Sequence, residues 1–234
     1  MHNSLPLYHS TGLMLGICAV IQAGASTFIK RKFSASSFWD EVQKYNTTAL
    51  VYIGELCRYL ANTDPTPAEQ NNPLKVMVGN GLRPDVWKIF AKRFGISNIK
   101  EFYGSSEGNI ALINADSNFG SIGRIPPYLS SVMKTRIVKF NVEEEKVERN
   151  ADGFCIECEP DEIGEAIGFI PDDGKLTGRF DGYTNKEASK KKILENVFET
   201  GDQWFSSGDL LKRDSRGYYY FIDRIGDIKF YRFQ

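Results

Sequence analysis

Two stretches carry side chains whose types and spacing could do chemistry. The run EFYGSSEGN, residues 101–109, places two hydroxyls, Ser105 and Ser106, and the carboxylate of Glu107 directly after a glycine. Hydroxyls donate to phosphate oxygens, and a carboxylate is a hard oxygen ligand suited to Mg²⁺, which bridges carboxylates and phosphates. Gly104 permits a turn that a side chain would obstruct, and a strand end followed by such a loop is where open α/β sheets hold ligands. The chemistry would be phosphate and nucleotide binding, although an ordinary polar turn with a solvated Glu107 has the same composition. The second stretch begins at Asp209 in SSGDL, with Asp223 and Arg224 following an aromatic run, GYYYFIDR. A carboxylate there could accept two hydrogen bonds from a ribose diol, and a guanidinium could hold the sugar or a phosphate. Each of these groups could equally serve in a structural salt bridge.

The composition bounds these readings. The chain has 234 residues, 41% hydrophobic and 13% aromatic, enough for one large domain or two modest subdomains with real cores. With 29 basic and 30 acidic side chains the formal charge is −1, so no bulk field favours nucleic acid or an anionic membrane. The start of the chain lacks the basic segment and apolar core of a secretion signal, and the most apolar run, residues 13–25, is too short to span a bilayer. A soluble, cytoplasmic chain is expected, with peripheral attachment to the inner face of a membrane the one membrane association compatible with it. Of the four cysteines, Cys155 and Cys158 form a CxxC pair in an apolar, acidic, strand-like stretch without a second pair or spaced histidines. Zinc or redox chemistry is therefore disfavoured, and Cys18, Cys57, Cys155 and Cys158 are expected to be free buried thiols.

The elements that must position the chemistry alternate strand and helix. NSLPLYH at 3–9 reads as a strand or strand exit, 12–25 as a buried helix, and 26–29 as the next strand. Ser36 or Ser37 should cap a helix through Tyr45, where Phe38, Val42 and Tyr45 recur at helical spacing. Strands at 49–53, 76–78 and 99–103 alternate with helices at 55–62 and from Pro84 to about Phe94. This pattern predicts an α/β fold, a mostly parallel sheet flanked by helices. After about Gly123 the texture changes to β-like segments at 135–140, 153–158 and 164–170, predicting a small antiparallel, barrel-like subdomain. Residues 185–198 read as a helix with a solvated basic cluster at 190–192, and 204–211 with 218–222 as a hairpin turned at 214–217. The predicted organisation is an α/β subdomain over 1–125, a β-rich subdomain over 126–227 and a divergent end at 228–234.

Taken together, LPLYHSTG, YIGELCRYL, GNGLRPDVW, EFYGSSEGN and GDLLKRDSRGYYYFIDRIGD stand in an order that resembles the adenylate-forming superfamily of acyl-CoA synthetases, adenylation domains and luciferases. Within it the chain looks most like the fatty-acid transport protein and very-long-chain acyl-CoA synthetase branch. The resemblance implies a ligase that joins a fatty acid to ATP, releasing pyrophosphate, and then opens the acyl-adenylate with coenzyme A. It implies that Gly79, Asn80 and Gly81 form the adenine-side loop and that Tyr103 stacks on adenine. Gly104, Ser105 and Ser106 would meet phosphate, with Ser106 where the family usually has threonine. Glu107 would ligate Mg²⁺, Asp209 the ribose with Arg224 beside it, and His9 would lie near the acyl and phosphate end. Asp227 would be the hinge between large and small domains. The acyl pocket would lie between the parallel sheet and the helix near 55–62, a placement that a bulky residue at Gly54 should test.

The chain departs from the family in lacking a GxxxxGK phosphate loop, and the resemblance stops after Asp227, before the small C-terminal domain and its catalytic lysine. It is expected to be part of the large domain, weak or inactive on its own. The competing readings are a nucleotide- or acyl-binding remnant without chemistry, an amino-acid adenylation domain, and a membrane-associated uptake protein with secondary ligase activity.

Overall fold

The computed structural model describes residues 1–104, 108–171 and 192–226. It divides into two compact units, Met1–Phe102 with Ile113–Ile122, and Tyr103–Leu112 with Gly123–Gln234.

The first unit is built on a sheet. Strand β1 (His2–Asn3) leads into a π-helix, Thr11–Cys18, continued by α1 (Ala19–Gln22); β2 (Phe28–Ile29), α2 (Phe38–Lys44), β3 (Ala49–Ile53) and α3 (Gly54–Ala61) follow. Then come α4 (Pro67–Gln70), β4 (Val76–Asn80), α5 (Pro84–Lys92), β5 (Ile99–Gly104) and β6 (Ala111–Asn114). The strand order is β2-β1-β3-β4-β5-β6, and β1 with β2, β1 with β3, β3 with β4 and β4 with β5 all pair in parallel. Three successive residues of β3, Leu50, Val51 and Tyr52, are all buried, which requires cover on both faces of the sheet. The cover is helical. Phe38, Trp39 and Val42 of α2, Leu56, Cys57 and Leu60 of α3, and Val86, Trp87 and Phe90 of α5 form the inward stripes and join one core with the strands.

Two details of the first unit differ from expectation. The helical run after β1 is largely exposed, with Leu13, Met14 and Ile21 facing out while Thr11, Gly12, Gly16 and Val20 are buried. Its inward face is the small-residue face, because the Asn3 amide presses on Gly16 so closely that a Cβ there would lie 2.1 Å from Asn3 Nδ2. Ser37 does stand at the N-cap of α2, but it makes no side-chain cap; its hydroxyl instead accepts from Lys30 Nζ at 2.8 Å.

The second unit is antiparallel. Its strands are β7 (Gly123–Arg124), β8 (Thr135–Asn141), β9 (Lys146–Val147), β10 (Ile163–Phe169), β11 (Ile193–Glu195), β12 (Gln203–Arg213) and β13 (Tyr218–Arg224). The order is β7-β13-β12-β10-β8-β9, with β11 on β12. Val138, Cys155, Ile167, Val197 and Trp204 make its core. The β12–β13 hairpin turns where expected: Asp214 N donates to Tyr218 O at 2.9 Å, and Asp214 Oδ1 accepts from the Arg216 and Tyr218 amides at 3.0 and 2.9 Å.

The helix expected over 185–198 is not found in its described part. Ile193–Glu195 is a strand, pairing Leu194 with Trp204 and Ile193 with Phe205. Val197 is buried beyond it because Asp202 captures the amides of Val197 and Phe198 at 2.5 and 3.0 Å. The spacing of Ile193 and Val197 thus reflects a strand and its following turn. Residues 153–158 run extended beside β8 with two isolated bridges, Val138 to Glu157 and Arg149 to Cys155, rather than as a regular strand. Cys155 and Cys158 are both free and buried there, and burial pushes the Cys158 thiol up to about 11. Cys57 is buried as expected, but Cys18 is exposed. No helix among the described residues is long and apolar enough to cross a membrane.

Candidate functional site

In the second unit the structure brings together Tyr103, Asp209 and Arg224. Asp209 lies within β12, directly opposite Arg224 of β13. The Tyr103 hydroxyl donates to Asp209 Oδ2 at 2.6 Å, and Arg224 Nε donates to Asp209 Oδ1 at 3.2 Å. A carboxylate offers roughly four lone-pair sites, and these two donors take two of them, so the group can still accept from a diol. The Asp209 side chain is 11% exposed and the Arg224 side chain 69%, so the tyrosine bond is the stronger tie. Burial, reinforced by the Asp209 charge, pushes the Tyr103 phenol well up, keeping it a hydrogen-bond donor.

Asp209 owes its place to a bulge. Between the pairs Ile167 with Ser206 and Glu165 with Leu210, Ala166 alone on β10 stands against Ser207, Gly208 and Asp209 on β12. Gly208 takes φ +77°, which a side chain would resist, and so lets the strand bend without ending. Inside the bend sits Glu165, only 3% exposed, whose Oε1 accepts from Ser206 Oγ at 2.5 Å and from Gly208 N at 3.0 Å. Burial raises its carboxyl above the usual range, and the Asp209 charge adds to this, while its two donors and the Lys192 cation oppose it. Lys192 was expected on a solvated face. It instead reaches the bulge, donating to Ser207 O at 3.3 Å; residues 190 and 191 lie outside the described residues.

In the first unit Gly79, Asn80 and Gly81 form the end of β4 and the turn after it. Thr11 Oγ1 donates to Asn80 Oδ1 at 3.4 Å, a long bond that ties the start of the π-helix to this turn. His9 is exposed, and its Nδ1 accepts from Thr11 N at 3.3 Å within its own turn. The turn is held from beneath by Glu101, 1% exposed. Its carboxylate accepts from Gly81 N and Leu82 N, each at 3.1 Å, and from the Tyr52 hydroxyl at 2.5 Å. Burial nevertheless dominates, and the Glu101 carboxyl is raised to about 7. Gly54 abuts the same turn: a Cβ on it would fall 1.7 Å from Gly81 O. Its glycine identity therefore follows from backbone contact with Gly81, and a bulky residue there would displace the turn rather than probe an acyl pocket.

Neither Glu101 nor Glu165 was singled out by its role in the sequence. The available signal was a carboxylate in the inward phase of an apolar strand, two residues after Ile99 in the first case and beside Ala166 and Ile167 in the second. Gly104 closes β5, while Ser105, Ser106, Glu107 and Asp227 lie outside the described residues.

The two units, a parallel sheet covered by helices and an antiparallel sheet carrying a tethered carboxylate, define the large-domain fold of adenylate-forming enzymes. ATP-bound MatB from Rhodopseudomonas palustris matches 95% of this chain and 39% of its own, with a TM-score of 0.69 and 21% identity. O-succinylbenzoate coenzyme A synthetase from Bacillus subtilis, in complex with ATP and magnesium ion, matches 97% of this chain and 42% of its own, with a TM-score of 0.61 and 20% identity. By sequence, residues 1–153 match the AMP-binding enzyme family, and the chain belongs to it. It is similar to the long-chain fatty acid transport protein 1 of Mus musculus, 43% identical over 97% of this chain, and spans 35% of that relative's length.

Proposed function

We propose that this chain is the nucleotide-binding part of an ATP-dependent long- or very-long-chain fatty acid–CoA ligase. In the complete enzyme the acid's carboxylate attacks the α-phosphorus of ATP and expels pyrophosphate; the thiol of coenzyme A then attacks the acyl carbonyl and expels AMP. The observation that carries the reading is the buried Asp209 carboxylate, held by Tyr103 and Arg224 with acceptor capacity to spare. Asp209 takes the ribose hydroxyls, the Tyr103 ring lies on the adenine with its orientation fixed by the bond to Asp209, and Arg224 holds the sugar or a phosphate. Gly79, Asn80 and Gly81 form the adenine-side loop, and Gly104, Ser105 and Ser106 meet phosphate. His9 serves the acyl and phosphate end, and Asp227 the hinge. Mg²⁺, bound through Glu107, would supply charge neutralisation on the phosphoryl oxygens.

The fatty acid substrate is supported by the 43% identity to a long-chain fatty acid transport protein. The proposed workplace is the cytoplasm, with peripheral attachment at the inner face of a membrane, where long-chain acids partition. The chain by itself is proposed to bind nucleotide with little or no turnover, since it carries no GxxxxGK loop and spans 35% of that relative. Calorimetric titration of ATP with Mg²⁺ into the folded chain tests the reading, with Asp209→Ala as control. Binding lost in the variant supports it; no binding by the folded parent, or equal binding by both, overturns it. Steady release of pyrophosphate and acyl-CoA by this chain would overturn the claim of weak turnover.

A further inference from the structure

Glu165 has no part in the chemistry just described, yet it is the most deliberately placed group near Asp209. Its neighbours on β10, Ala166 and Ile167, are fully buried and apolar, and an apolar residue would satisfy the same core. A buried carboxylate is costly unless hydrogen-bonded, and this one spends its bonds on the two residues that shape the bulge, Ser206 and Gly208. The positive φ of Gly208 presents its amide inward to Glu165 Oε1. In the same turn, Lys192 Nζ donates to the Ser207 carbonyl. Asp209 is the next residue, and its own amide donates to Ser207 Oγ at 3.1 Å. The bulge is thus tied at each of its members.

We propose that Glu165 is a positioning residue for nucleotide binding, whose buried carboxylate holds the 207–209 bulge in the shape that sets Asp209 against Tyr103 and Arg224. The inference rests on the proposed role of Asp209. Without the Glu165 acceptor, the Gly208 amide loses its partner, the three residues opposite one keep only the bonds made at Ser207, and Asp209 is less firmly held in one place. Glutamine at 165 keeps the size, and its one carbonyl oxygen can take both bonds that Glu165 accepts on Oε1, but without the carboxylate's charge, so both bonds weaken. Aspartate keeps the charge but shortens the reach by a methylene.

The test uses the whole chain and AMP as the probe, with Glu165→Gln, Glu165→Asp, Asp209→Asn and the Glu165→Gln/Asp209→Asn double variant. Two readouts are taken, AMP affinity by calorimetry and hydrogen exchange at the Gly208 amide by NMR. Expected are an AMP dissociation constant raised about tenfold by either Glu165 substitution, about what turning a charge-assisted hydrogen bond into a neutral or lengthened one costs, and faster exchange at Gly208. Because Glu165 acts through Asp209, Glu165→Gln should add little further loss in the Asp209→Asn background, whereas a merely structural role would weaken both backgrounds alike. Unchanged exchange at Gly208, or full additivity of the two losses, overturns the proposal. If the parent chain fails to bind AMP at all, the proposed function falls, and Gly208 exchange still decides whether Glu165 holds the bulge.

Discussion

Replacing Glu101 by glutamine should change how the stability of the chain depends on pH. Glu101 is almost wholly buried, and its folded carboxyl is raised from 4.5 to about 7 even though Tyr52, Gly81 and Leu82 all donate to it. The unfolded chain releases this proton near 4.5 while the folded chain keeps it until about 7, so between those values folding retains a proton. The group's contribution is fully present below 4.5 and is lost as pH rises through about 7. At 1.36 kcal/mol per unit the loss is about 3 kcal/mol in all, of which about 2.5 kcal/mol falls between pH 5 and 8. Glu101→Gln cannot ionise and removes this term, at a pH-independent cost from an amide facing backbone N–H groups. The assay is urea unfolding of parent and variant at pH 5 and pH 8. Differences between the two proteins cancel other titrating groups, among them Glu165, raised by burial, and His2, lowered by it. Relative to the parent, the variant should be about 2.5 kcal/mol better off at pH 8 than at pH 5. An offset that is the same at both pH values would refute the reasoning, and would mean that the three donors outweigh burial.

The other expected outcomes concern single residues. Gly54→Ala puts a methyl where Gly81 O already is, 1.7 Å from it, and should destabilise the chain by about 3 kcal/mol or more, read as a lowered urea midpoint. Asp202→Ala strips the acceptor from Val197 N, Phe198 N and Trp204 Nε1 and should cost about 3 kcal/mol, with Trp204 fluorescence reporting the unfolding. Asp209→Ala leaves the Tyr103 hydroxyl without this acceptor and should cost about 1–2 kcal/mol in the same assay. Arg224→Ala, removing an exposed partner of the same carboxylate, should stay within about 0.5 kcal/mol; equal losses for the two would mean that the ion pair rather than the tyrosine bond anchors Asp209.

Much of this protein was legible in its sequence. Local periodicity and turn chemistry are short-range properties, so the βα alternation through β5, the change to antiparallel strands and the turn at Asp214–Gly217 follow from neighbouring residues. The ordered motifs carried the family as well, since EFYGSSEGN and SSGDL hold their chemical groups in a few consecutive residues. Burial was harder to read. The run 13–25 is apolar, but its glycine face turns inward and Leu13, Met14 and Ile21 turn outward, because Asn3, from another element, fills the space against Gly16. Ile193 and Val197 have helical spacing, yet pairing with β12 and capture by Asp202 make them a strand and a turn.

What the sequence offered by itself, then, was a set of candidates for the chemistry: the carboxylate at 209, the guanidinium at 224 and, through the resemblance, the phenol at 103. What only the tertiary structure decided was how they are held. Tyr103 and Asp209 are 106 positions apart, and no local pattern relates them until the fold sets one beside the other. The two glutamates that hold the candidate loops were likewise invisible as such, because a glutamate in a strand has the same local sequence whether it faces water or, like Glu101 and Glu165, closes a buried hydrogen-bond cluster. Burial and partnership are properties of the folded surroundings, and both the raised carboxyls and the bulge beneath Asp209 follow from them.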